Sequence, residues 1–571
     1  MRGLSTCYIS RMLRRFAVWA LALAAACCSK SEVKSTSNGG EGPVPTKPSF
    51  TIFALAEVRG QIGPCGCTSD PLGDISRTTQ LVDAARARGP VFVVDAGSLL
   101  YSQSPVPAHL DAQEELKADL LADIYKNQLR VAALGLGPAD MPKGAAKLRL
   151  PRLVVNPPAE YTIADGDRVA VEGGVKLGVF GVIARDTIAA PVADPVAAGK
   201  KVVGQLRGTG VQVVVALVQA STKKDAVKLV RDIGGIDFAV AGLGQNAPEP
   251  DKTEITAEKI DNTWLIVPAN RGQIISRIDV YLHGTGPLVD AVGPAAAAAK
   301  IAQLDKDLAR RDDELAKFAA DKTADAAFVA AKQKERAALA GERDRLKANP
   351  LVAPAHGSFF TLDQVRVNKT LACSVPAQTA VTKFYAAAGE ANVKAAAGKP
   401  VAAPAKGQAS YVGMSSCGDC HNDAVEFWKK TVHANAWKTI VDRGQQFDYD
   451  CIGCHVTGWG KPGGSNLAHN DTLRDVQCET CHGPASIHVA KGGEEKPPAI
   501  LRGPADDLCA TQCHTHEHSD TFQHDAYLRD IVGPGHGEAL RKKLGDGDTG
   551  SKLRKAALDK AGRTLGAGCT R

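Results

Sequence analysis

The stretch GVQVVVALVQASTKKDAVKLVRDIGGIDFAVAGLG, residues 210–244, carries the pattern on which the fold of the larger part of this chain turns. Residues 210–220 and 235–244 are short, nearly uninterrupted apolar runs, the signature of strands buried on both faces. Between them, KKDAVKLVRDIGG (223–235) repeats apolar residues at helical spacing and ends on glycine, which predicts an amphipathic helix with a glycine stop. Strands alternating with helices imply a sheet covered on both faces. Working outward, SFTIFALAEV (49–58), PVFVVDAG (90–97) and GVKLGVFGVIA (174–184) read as further strands, and DISRTTQLVDAARARG (74–89) as a helix. Residues 49–298 are therefore expected to form one α/β domain.

Beyond it the pattern changes. KIAQLDKDLARRDDELAKF (300–318) places Ile301, Leu304, Leu308, Leu315 and Phe318 at heptad positions among charges. DKTAD interrupts and AAFVAAKQKERAALAGERDRLK (326–347) resumes, so residues 299–348 predict an antiparallel, coiled-coil-like helical hairpin. Residues 349–409 read as a short mixed segment followed by an Ala/Pro/Gly linker, AAAGEANVKAAAGKPVAAPAKGQ (386–408). At the other end, Arg2, Arg11, Arg14 and Arg15 precede the apolar run FAVWALALAAACC (16–28), the layout of a secretory signal over residues 1–28. Ala24–Ala26 before Cys27 resemble a lipoprotein cleavage box, with Cys27 or Cys28 as the lipidated residue, and residues 29–48 form a polar tether. The expected location is the periplasm or the outer membrane. A net charge of +7 over 571 residues makes no case for nucleic acid.

The chemistry is concentrated after residue 410. Of 15 cysteines, eight lie between 417 and 513, and of 14 histidines, 11 lie between 421 and 536. Three units are strict C-x-x-C-H: Cys417-Gly-Asp-Cys420-His421, Cys451-Ile-Gly-Cys454-His455 and Cys478-Glu-Thr-Cys481-His482. That spacing suits covalent haem, because two thiols on one short turn reach two vinyl groups and the next residue turns an imidazole onto the iron. Zinc is the alternative, but zinc ribbons do not need a histidine directly after each second cysteine. A fourth unit, Cys509-Ala-Thr-Gln-Cys513-His514, has one residue too many between its cysteines. Seven further histidines, 433, 469, 488, 516, 518, 524 and 536, supply candidates for the far face of each iron.

These blocks, CGDCHNDAVEFWKKTVHANAW, CIGCHVTGWGKPGG and CETCHGPASIH, resemble the tetrahaem cytochrome c-554 family over roughly residues 412–540. The resemblance implies four covalent haems c on residues 410–571 and periplasmic electron transfer between redox proteins. It implies that His433 and His488 ligate haems other than their sequence neighbours, with His536 the next choice, and that the iron at His455 can be five-coordinate. It also places a haem motif where CATQCH lies, so a bulged turn at Cys509, Cys513 and His514 is the expected fourth site. A single-thioether haem or a disulfide there stays open. If the iron at His455 has an open position, a haem oxidoreductase acting on a small nitrogen compound is the alternative function.

The order of elements over about residues 50–285 resembles the 5'-nucleotidase and metallophosphatase family, which implies a layered α/β sandwich. That family's metal-ligand positions read as emptied here: Glu57-Val58-Arg59-Gly60, Gly97-Ser98, Gly137-Pro138, Gln219, and Leu243 to Gln245. No histidine occurs between His109 and His283, so a histidine-ligated dimetal site is not expected and an active phosphatase is the least favoured reading. Cys65, Cys67, Cys373 and Cys569 have no assigned role. Cys373 and Cys569 pair either with each other or with the Cys65/Cys67 turn.

Overall fold

The computed structural model describes residues 45–569 apart from 65–66, 162–164, 285, 321–324, 495–502 and 506. The signal segment, Cys27, Cys28, nearly all of the tether and Cys65 lie outside the described residues. Twelve strands form two six-stranded sheets. The first contains β1 (Phe50–Leu55), β2 (Val91–Asp95), β3 (Ala133–Leu134), β10 (Ile274–Tyr281), β11 (Val289–Asp290) and β12 (Phe359–Arg366), in the order β11-β12-β10-β1-β2-β3. The second contains β4 (Asp167–Glu172), β5 (Val175–Ile183), β6 (Val213–Gln219), β7 (Phe238–Gly242), β8 (Glu258–Ile260) and β9 (Thr263–Ile266), in the order β4-β5-β6-β7-β9-β8.

The apolar runs explain the layering. In parallel register on β5, β6 and β7, one alternate set (Leu177, Val179, Val213, Val215, Leu217, Phe238, Val240) faces the first sheet and meets Phe50, Ile52, Phe92, Val94 and Phe360. The other set (Phe180, Val182, Val214, Ala216, Val218, Ala239, Ala241) packs under the helices α3 (Pro195–Gly208) and α4 (Lys223–Ile233). Likewise Phe53, Leu55, Val91 and Val93 of the first sheet pack against α1 (Ile75–Arg86), α2 (Asp111–Asp123) and α7 (Val375–Ala396). Period-two alternation with both faces apolar thus yields two sheets face to face with helices outside, a layered α/β sandwich, rather than a single sheet clad by helices. The helix ends follow the local chemistry. Asp74 accepts from the backbone N–H of Ser76 and Arg77 at the start of α1, Thr222 caps α4, and Gly234, at φ 68°, stops it.

The helices α5 (Pro294–Ala320) and α6 (Ala326–Ala348) pair antiparallel, with Ala297, Leu304 and Leu346 buried between them and exposed ion pairs such as Arg336–Asp312 outside. The linker expected over residues 386–408 requires a correction: its first part, to Ala396, is the end of the helix α7. β12 pairs along the whole of β10, and α7 buries Ala377, Val381, Phe384 and Ala388 against α1 and α2. Alanine-rich composition suits a tether, but alanine is also the best helix former, and the apolar residues of α7 recur at helical spacing. Cys373 and Cys569 form a disulfide with Cα atoms 4.9 Å apart, which staples the C-terminal end to the start of α7. Cys67 is free and exposed. No helix among the described residues is long and apolar enough to cross a membrane.

Candidate haem sites

Residues 410–569 fold as short helices, the longest of 12 residues, and each Cys–Cys–His unit sits on one tight turn. In the first unit the His421 N–H donates to the Cys417 carbonyl at 2.9 Å, and His421 then opens the helix Asn422–Trp428. The third unit is itself the helix Cys478–His482. The second begins in the helix Tyr449–Ile452, whose cap is Asp448. The fourth unit absorbs its extra residue as a widened turn: Cys513 and His514 both donate their N–H to the Cys509 carbonyl, at 3.2 and 2.7 Å. His514 thereby stands five residues from its acceptor instead of four, the geometry of a local π-type bulge.

The fold brings histidines from different units together. The rings of His421 and His488 lie 6.5 Å apart and 23° from parallel, and those of His433 and His514 lie 6.3 Å apart. Two imidazoles on one metal have centres roughly 6 Å apart, from two metal–nitrogen bonds of about 2 Å and about 1 Å more to each ring centre. Both separations fit one iron between the rings. Burial, and then the charge of His482, hold His536 below the usual imidazole range. Burial and the adjacent His514 push His433 down to about 4, and burial lowers His514 and His455. Neutral imidazole is the form that binds a metal. His455 differs. Its Nδ1–H donates to the Ala436 carbonyl at 2.5 Å, which orients the ring, and among the described residues no histidine ring stacks on it. His469 and His516 are exposed, and His518 and His524, whose Nδ1 atoms bond Thr515 and Asp525, line the cavity; none of the four makes a ring contact with another histidine among the described residues.

The units fall into two couples. Cys417 meets Cys478, and Cys454 meets Cys513, so the first unit adjoins the third and the second adjoins the fourth, while Cys481 of the third unit stands near Cys509 of the fourth and links the couples. The second couple lies against the α/β region. Gln113 donates to Asp448 at 2.7 Å, Lys117 binds Asp450 at 3.0 Å and Glu114 at 2.9 Å, and Asn392 donates to the Phe447 carbonyl at 2.9 Å. Arg271 pairs with Glu517 at 2.7 Å, and the Ser69 N–H donates to Asp520 at 3.1 Å. Between these walls lies a cavity of about 900 Å³ that includes Cys451, Cys454, His455, Cys513, His514 and His433. The first couple is braced within its own region. Glu479, inside the third unit, is buried and accepts from the backbone N–H of Val412, Gly413 and Ala485. Sequence reasoning does not find Glu479, Lys117 or Gln113. The only sign of Glu479 is an acid between two haem cysteines, and α2 shows nothing local that marks its face as an interface.

The family model described as Cytochrome c554 and c-prime matches residues 416–483. The C-terminal region is similar to cytochrome c-554. The curated cytochrome c-554 of Nitrosomonas europaea is 34% identical over 92 residues, which are 13% of this chain and 39% of that protein. The chain thus spans about two fifths of the length of this curated relative. The solved reduced-state cytochrome c554 of Nitrosomonas europaea aligns with 24% of this chain and 79% of its own at 24% identity and TM-score 0.16. A 5'-nucleotidase precursor from Thermus thermophilus aligns over 73% of this chain and 71% of its own at 17% identity and TM-score 0.39. The matched c-554-like residues hold the first three units, and the fourth lies beyond them.

At the carboxyl ends of the strands, the positions read as emptied do come together. A β-carbon on Gly137 would sit 2.2 Å from Ser98 Oγ and 2.9 Å from Gln219 Cδ, and one on Gly242 would sit 2.7 Å from Glu57 Oε1. Asp140 organises the loops, accepting from the N–H of Ser98 and Gly137 and from Arg152 at 3.2 Å. Glu57, Ser98 and Gln219 pack there against the close-approaching Gly137 and Gly242. They do not fit a histidine-ligated dimetal centre. Burial raises Glu57 to about 7, against the pull of the Gly244 N–H, Gln219, Ser98 and Arg59.

Proposed function

We propose that this chain is an exported multihaem c-type cytochrome that passes single electrons between redox partners through four covalently bound haems. The observation that carries the reading is the pair of histidine contacts, His421 with His488 and His433 with His514, each joining a motif histidine to one contributed from elsewhere in the chain. Each bound haem would supply a one-electron iron couple. The chain's own part is to hold and tune it. The cysteine pairs would anchor each haem, His421 with His488, His433 with His514 and His482 with His536 would ligate its iron, and the Ala436 carbonyl, accepting from Nδ1–H of His455, fixes that ring's tautomer. The disulfide between Cys373 and Cys569 suits the oxidising compartment in which haem c is attached. A lipid on Cys27 would tether the protein to a membrane, and its partners would be periplasmic or membrane redox proteins.

A second reading, an oxidoreductase acting on a small nitrogen compound, rests on His455, whose ring borders the cavity and, among the described residues, makes no ring contact with another histidine. The test is a haem count by pyridine haemochrome and intact mass on protein matured in a c-haem-competent host, followed by electron paramagnetic resonance. Four haems, three low-spin and one high-spin, are expected. Three haems would leave Cys509 and Cys513 unmodified and overturn the fourth site. A high-spin signal that shifts with nitric oxide or cyanide keeps the oxidoreductase reading, and four low-spin haems remove it.

A further inference from the structure

Arg59 and Arg271 stand where the emptied edge of the two sheets meets the fourth Cys–Cys–His unit. Arg59 follows β1, and Arg271 lies in the loop between β9 and β10. Both have φ in the left-handed region, 51° and 52°, as does Glu57 at 54°, a strained backbone for residues that carry side chains. The strain is locked by the Arg271 N–H donating to the Glu57 carbonyl at 2.8 Å. Its effect is to bring two guanidinium-bearing residues to the wall of the cavity shared with Cys513, His514 and His433. Arg59 donates to Gln245 at 3.0 Å, and Arg271 reaches Glu517, three residues beyond His514, at 2.7 Å. Of the other cations of that wall, Lys117 is committed to Glu114 and Asp450, Arg554 to Asp520, and Arg443 stands by Cys451 and His455 of the second unit.

We propose that Arg59 and Arg271 form an anion-binding edge that receives the carboxylates of the haem attached at Cys509 and Cys513, so that the α/β region completes the pocket of that haem. This rests on the haem reading above. The guanidinium fork matches a carboxylate in shape and charge. Burial holds the Glu57 carboxyl beneath Arg59 up at about 7, so at neutral pH it is only about half ionised and offsets the guanidinium in part. A positive edge beside a haem favours its reduced state, which carries one more negative charge. A small soluble anion has the same chemistry and is the other source to be distinguished.

The experiment uses the full-length, haem-loaded chain as wild type, Arg59→Gln, Arg271→Gln and Glu517→Gln. Haems are counted first, so that failure of the haem reading is seen before any other result. Spectroelectrochemical titration followed by electron paramagnetic resonance then assigns each potential. The two arginine variants are expected to lower the potential of one low-spin haem and leave the other two unmoved. Glu517→Gln, which removes the competing carboxylate, is expected to raise the same component. Unmoved potentials in all three variants, or a shift confined to the high-spin haem, overturn the proposal. If phosphate or nitrite shifts the wild-type component and Arg59→Gln abolishes that response, the bound anion is a soluble one and the propionate assignment falls.

Discussion

Between Phe50 and Ala388 the chain buries large apolar clusters on both faces of each sheet, whereas among the described residues of 410–569 only eight apolar side chains are buried. The α/β region is held by what it removes from water, at about 1.5–3 kcal/mol for each large apolar side chain buried. The c-554-like region is held instead by carboxylates and carbonyls that tie down turns, such as Glu479 under Val412 and Gly413 and Asp448 at the cap of the second unit. A region of this size with so small an apolar interior needs another source of cohesion, and covalently attached haem c supplies one.

The largest expected effect breaks this comparison outright. Made in a host that cannot attach haem c, the chain is expected to lose residues 410–569 to trypsin while a fragment spanning the two sheets persists. A C-terminal region that survives digestion without haem would refute the contrast. Phe238→Ala acts on the other side. Phe238 is fully buried edge-on to Phe360 between the sheets, so about 3–5 kcal/mol of stability should vanish in urea titration with the haem spectra unchanged. Lys117→Met tests the seam. It strands the buried Glu114 and releases Asp450, so a loss of about 3 kcal/mol should come with a change in the signal of the second unit's haem alone.

A pH effect should follow from Glu57. Its carboxyl is raised from 4.5 to about 7 by burial, so its contribution is fully present below about pH 4.5 and is lost as the pH rises through 7. Urea stability should fall by up to about 3 kcal/mol over that window, and Glu57→Gln should flatten the slope. The smallest effect is expected at Arg336→Ala. It removes an exposed pair with Asp312 on the α5–α6 hairpin and should leave the thermal midpoint where it was.

Much of this was legible because the signals are local. GVQVVVALVQA declares a buried strand in its own composition, and Thr222 and Gly234 bracket α4 within a few residues. The segment FFTLDQVR, by contrast, became β12 only through register with β10, and the alanines of α7 have the look of a tether until α1 and α2 are there to cover them. The Cys–Cys–His units were readable for the same reason as the strands: two thiols and an imidazole must share one turn, so their spacing is written in consecutive residues. The pairing of His421 with His488 and of His433 with His514 was not written there. Nor was the meeting of Arg271 with Glu517, or of Lys117 with Asp450. The sequence by itself determined the strand and helix periods, the thiol–imidazole units and the absence of histidine between His109 and His283, all properties of residue type and position along the chain. The tertiary structure decided which histidine faces which, and that the α/β region walls the second and fourth units. Those contacts join residues far apart in the chain, and no local period specifies which of them chain packing brings together.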